Sequence, residues 1–114
     1  MQAVFDVLVE PNRRAILELL IDRERSVGEL ERKLRLPQPS ISKHLRLLRE
    51  SGFVEARVNA QRRLYRLRPE PLLALDNWLE PYRRQWNASL DALAQHLDSM
   101  PDSPKKKEKK GSTR

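Results

Sequence analysis

The stretch Leu36-Pro37-Gln38-Pro39 sets the hardest limit on this chain. Two prolines one residue apart cannot lie inside a continuous helix, because each lacks an N–H and its ring crowds the preceding turn. Yet helical patterning flanks them. Val27, Leu30 and Leu34 precede them, and Ile41, Leu45 and Leu48 follow, at three- and four-residue steps. Two short helices must therefore meet at an abrupt break. The residue before a proline avoids helical angles, which ends the first helix. Pro39 then falls in the first turn of the second, where a missing N–H costs nothing.

The neighbouring segments read in the same way. Val4, Phe5, Val7 and Leu8 predict a short first helix. Pro11 suits the opening position of a second, whose Ile16, Leu19 and Leu20 mark one buried face. Ser26-Val27-Gly28-Glu29 matches a capping box for the third. The fourth spans about residues 38–51, with Gly52 placed to end it in a left-handed conformation. Val54, Ala56 and Val58 alternate with Glu55 and Arg57, a strand pattern. Residues 59–62 form a turn, and Arg63–Leu67 returns as a second strand. A long helix follows over about residues 71–99. The expected order is α-α-α-α-β-β-α: mainly α with a small β-hairpin, a winged helix-turn-helix. One domain covers 1–99. Residues 100–114, rich in Pro, Ser and Lys, form an expected disordered basic tail, whose role is either nonspecific DNA affinity or simple solubility.

Charge narrows the function. The net charge is +7, and it is unevenly spread. Residues 32–68 hold eleven Lys/Arg and two Asp/Glu, a net +9, between acidic blocks of −3 and −4. That is the footprint of a polyanion-binding surface. There is no cysteine, which excludes disulfides and thiolate metal sites. No apolar run reaches membrane-spanning length, and the start lacks the pattern of a secretory signal, so a cytoplasmic protein is expected. With three glycines, no phosphate loop and no plausible nucleophile–base set, an enzyme is not expected.

If Ile41, Leu45 and Leu48 face inward, Ser40, Ser42, Lys43, Arg46 and Arg49 face out, with Gln38 at the N-terminal end. Ser and Gln can bond base edges or phosphates, and Lys and Arg add charge. Arg57, Arg62 and Arg63 lie around the hairpin tip, within plausible reach of phosphate or minor groove. His44 borders the buried stripe. Its role stays open between internal packing and DNA contact.

LVEPNRRAILELL, PQPSISKHLRLLRESGFVEARV and RRLYRL together resemble the ArsR/SmtB winged-helix transcriptional regulators, over about residues 1–97. The resemblance implies a homodimeric, sequence-specific DNA binder, usually a repressor, with its recognition helix in the major groove of double-stranded operator DNA. By analogy, the family's DNA-contacting positions fall on Gln38, Ser40, Ser42, Lys43 and His44. Where many members carry a Cys-x-Cys metal pair, this chain has Ser26 and Gly28. Asp76 and Trp78 stand where others begin a metal-binding set on the last helix, and no histidine follows until His96. No metal or other cofactor is expected. The hairpin turn also lacks the glycine common in the family.

Leu72, Leu75, Leu79, Tyr82, Trp86, Leu90, Leu93 and Leu97 form a stripe along the last helix, more than a body this small can bury alone. With Phe5, they are the expected dimer interface. Pro81 is expected to bend this helix, interrupt its bonding or split it. Two other readings stay open: a sensor of the same fold gated by an unknown organic effector, and a winged-helix protein-interaction module without DNA.

Overall fold

The computed structural model describes residues 1–100. It comprises α1 (Gln2–Leu8), α2 (Pro11–Leu19), β1 (Arg25–Ser26), α3 (Val27–Leu34), α4 (Gln38–Glu50), β2 (Val54–Asn59), β3 (Arg62–Leu67) and α5 (Glu70–Ser99). The chain divides into one compact unit over Met1–Trp78 and a second from Leu79 onward. Of the expected tail, 100–114, residues 101–114 lie outside the described residues.

Local chemistry starts and stops each helix of the first unit. Arg13 and Arg14 donate to the carbonyls of Val7 and Leu8, which α1 leaves without helical partners. The Glu10 carboxylate accepts from the Asn12 N–H at 2.6 Å, and Pro11 opens α2. The predicted capping box is present at α3. Ser26 Oγ accepts from the Glu29 N–H at 3.2 Å, and the Glu29 carboxylate accepts from the Ser26 N–H at 3.0 Å. Arg35, left-handed at φ 56°, ends α3 two residues before Pro37. At the end of α4, Gly52 adopts φ 81°. The Phe53 N–H reaches the Leu48 carbonyl and the Gly52 N–H reaches that of Arg49, a Schellman closure that turns the chain into β2.

The core lies beneath α4. Ile41, Leu45 and Leu48 pack with Ile16, Leu30, Phe53 and Val54, all essentially inaccessible to solvent. Each such side chain contributes about 1.5–3 kcal/mol on burial, which fixes the rotation of α4. That rotation decides which residues are left outside.

The sheet has three strands in the order β1-β3-β2, all antiparallel. The sequence reading held only the hairpin. β1 adds Arg25 opposite Tyr65 and Ser26 opposite Leu64. Two residues carry no alternation to detect. Arg25 is nonetheless buried, and its Nε donates to the Leu19 carbonyl at 2.7 Å, so this strand ties the end of α2 to the wing.

The hairpin register pairs Asn59 with Arg62, leaving Ala60 and Gln61 as a two-residue loop. Ala60 takes φ 60°, the left-handed angle that glycine would adopt without strain. α5 runs over 30 residues with Pro81 inside it, so of the outcomes open at Pro81 the split is the one that does not occur. A proline within a helix removes one hydrogen bond, and the flanking turns still form.

Candidate nucleic-acid interface

α4 presents the polar face that its anchored stripe dictates. Gln38, Ser42, Lys43, Arg46 and Arg49 are exposed and Ser40 is half-buried. No side chain caps the N-terminus of α4, where Pro37 occupies the cap position. The Ser40 and Ile41 N–H groups bond the Pro37 carbonyl. Among the described residues the Gln38 N–H has no acceptor, and it sits at the positive end of the helix dipole. Arg49, a base on the last turn, complements the opposite end.

His44 turns out to be half-buried, with Nδ1 closed off from solvent and no hydrogen-bond partner among the described residues. One ring nitrogen is thus committed to the protein side. The sequence left its direction open, because His44 sits at the edge between the two faces.

The wing residues separate into two groups. Arg57 is ion-paired with Glu24, 33 residues earlier in the chain. The pair holds Glu24 below its ordinary carboxylate range, chiefly through the hydrogen bond from Arg57, and raises Arg57 in turn. Its charge is therefore partly neutralised within the fold. Arg62 and Arg63 are exposed and engage no carboxylate among the described residues. On the same face of the ribbon, Arg66 pairs with Glu55 across the strands.

The positions expected in a dimer interface fall into two environments. In the first unit, Leu72 packs against the core, Leu75 is half-buried, and Phe5 meets Trp78 edge-on, with ring centroids 5.4 Å apart. In the second unit Leu79 is half-buried. Tyr82, Trp86, Leu90, Leu93 and Leu97 are exposed along α5, the last four each more than half.

No cluster of three or more His, Asp or Glu side chains among the described residues could hold a metal ion. No described helix is long and apolar enough to cross a membrane.

Known proteins match both the sequence and this architecture. The model of the family "Bacterial regulatory protein, arsR family" matches residues 10–56, from the cap of α2 into β2. The HTH-type transcriptional regulator Rv2034 of Mycobacterium tuberculosis is 38% identical over 98 residues, covering 86% of this chain and 89% of that protein. An ArsR-like transcriptional regulator from Rhodococcus sp. RHA1 superimposes with a TM-score of 0.65 at 29% identity, covering 87% of this chain and 93% of the other. The transcriptional repressor BigR from Xylella fastidiosa gives a TM-score of 0.59 at 37% identity, covering 71% and 83%. With its helix-turn-helix anchored by Ile41, Leu45 and Leu48, this chain belongs to the arsR family of bacterial regulatory proteins and is a DNA-binding transcriptional regulator.

Proposed function

We infer that the protein acts as a homodimeric repressor that reads an inverted-repeat operator through α4, acts by binding rather than catalysis, and works in the cytoplasm without a metal cofactor. One observation carries the reading: α4 is fixed by three fully buried aliphatics, and its outer face offers Gln38, Ser42, Lys43 and Arg46 to solvent. A rigid helix with that face can enter a major groove and lose little freedom on binding. Ser40, less exposed, lies at the margin of the same face, and His44 can offer only what Nδ1 burial leaves free. Arg62 and Arg63 supply charge from the wing, and Arg57 contributes less while Glu24 holds it.

The second unit supports the dimer. Trp86, Leu90, Leu93 and Leu97 occupy one helical face and remain open to water in a single chain. A second copy would bury that stripe by the same helix, giving two-fold symmetry and two recognition helices about one DNA turn apart. Repression is the sign favoured by the likeness to BigR, described as a transcriptional repressor. The Lys-rich segment after residue 104 adds salt-dependent affinity for any duplex.

Footprinting on the DNA upstream of the protein's own gene tests this reading. Protection of an inverted repeat, with half-sites about one turn apart, supports it. Protection of a single half-site, or none, rejects the dimeric operator complex.

A further inference from the structure

A cavity of about 410 Å³ lies between α1, α2 and α4, and an apolar one of about 230 Å³ lies beside Leu67 and Leu72. The first sets the acids Asp6 and Glu50 beside Arg13 and Ser51, both already bonded to backbone carbonyls, and the second is apolar. A third is different. It measures about 370 Å³ and is lined by Ser26, Val27, Gly28, Arg32, Arg62 and Arg63. It joins the start of α3 to the start of β3.

Three arginines line this cavity, and no Asp or Glu does. None of the three has an ion pair or side-chain hydrogen bond among the described residues. Nearby arginines of the same fold are neutralised: Arg23 by Glu29, Arg57 by Glu24 and Arg66 by Glu55. Glu29 does not serve the cavity, because its carboxylate is taken by the Ser26 N–H and by Arg23. An anion entering here would meet positive charge that no carboxylate of the lining offsets.

The walls suit an oxyanion. Guanidinium groups present paired N–H donors that match phosphate oxygens in a fork. The cavity also opens at the positive end of α3. Arg32 Nη1 lies 3.4 Å from where a Cβ on Gly28 would stand, an ordinary contact distance, so that guanidinium lies over the first turn of the helix.

We propose that Arg32, Arg62 and Arg63, with the Gly28 turn, form a binding site for a phosphate group. The phosphate has two potential sources, a DNA strand beside the wing or a free phosphorylated small molecule. The site stands on the cavity alone, and only its DNA source rests on the operator reading.

The test is titration of the full chain with pyrophosphate at constant ionic strength, followed by thermal melting. Wild type is expected to show a saturating rise in Tm, lost in Arg32→Ala and in Arg62→Ala. These side chains are exposed and hold no internal partner, so the variants remain folded. Lys33→Ala, an exposed cation on α3 that does not line the cavity, should respond as wild type does. No saturating rise in wild type, or an equal loss in Lys33→Ala, overturns the proposal. Repeating the titration with bound duplex separates the sources, and both outcomes uphold the site. Displacement of duplex from wild type but not from Arg62→Ala shows that a DNA phosphate occupies it. Unchanged pyrophosphate affinity with duplex present shows a free ligand. If wild type footprints nowhere yet melts higher with pyrophosphate, the operator reading fails and the anion site stands.

Discussion

Arg57 of β2 is held by Glu24, which lies just ahead of β1, so the root of the wing is clamped by an ion pair between segments 33 residues apart. The Arg57 guanidinium is thereby occupied inside the protein rather than offered to DNA. Glu24→Gln removes the acid and releases it. The expected result is tighter duplex binding, with the slope of log K against log salt steeper by about one. Salt-titrated fluorescence anisotropy measures both quantities. Arg57→Ala should weaken binding less than Lys43→Ala, because Lys43 has no internal partner among the described residues.

Glu29 gives the fold a defined acid response. Hydrogen bonding from the Ser26 backbone, then from Arg23, lowers its carboxyl from 4.5 to about 2. A depressed folded value means that the unfolded state takes up protons first. The stabilisation is fully present above pH 4.5 and is lost as pH falls toward 2. Glu29→Ala should therefore cost about 1 kcal/mol at neutral pH, the usual worth of a helix cap. The deficit should shrink across that acid window. Urea unfolding of both proteins at pH 7, 4 and 2.5 checks the sign.

Two left-handed residues predict opposite substitutions. Ala60 has φ 60° at the wing tip, where a side chain is strained. Ala60→Gly should stabilise by roughly 0.5–1 kcal/mol, the relief of strain being offset by a more flexible unfolded chain. Gly52, at φ 81°, closes α4, and a Cβ there would meet only Pro71 Cγ at 3.8 Å. Gly52→Ala is thus penalised by backbone angle rather than crowding, by about 1–2 kcal/mol. Thermal unfolding distinguishes the two.

How much the sequence revealed depends on the range of each interaction. The Ile41, Leu45 and Leu48 stripe, the Ser26–Glu29 box and Gly52 are local patterns, and each appears as read. The outward positions of Gln38, Ser42, Lys43 and Arg46 followed directly from that stripe. β1 escaped because two residues have no period, and its pairing with Tyr65 and Leu64 is tertiary. The Glu24 clamp on Arg57 and the convergence of Arg32 with Arg62 likewise join residues about thirty apart, which no helical or strand pattern can signal. His44 was ambiguous for a different reason: it lies on the boundary between faces, and its burial divides the ring itself.

The exposed stripe of α5 makes the dimer testable apart from DNA. Leu90→Glu places a charge in the middle of Trp86, Leu90, Leu93 and Leu97. Burying an unpaired carboxylate costs several kcal/mol, so association should fall by at least a hundredfold. Light scattering after size exclusion should show a monomer with its secondary structure intact. Persistence of the dimer would place the interface elsewhere.

The central claim is that the outer face of α4 reads DNA. Its most direct test is the affinity of Ser42→Ala/Lys43→Ala for operator and for unrelated duplex, set beside wild type. The account predicts at least a tenfold loss on operator, since each base or phosphate contact is worth about 1–3 kcal/mol, with unchanged unfolding. Unrelated duplex should weaken less, so discrimination falls. Unchanged operator affinity and discrimination in that double variant would contradict the assignment of this face.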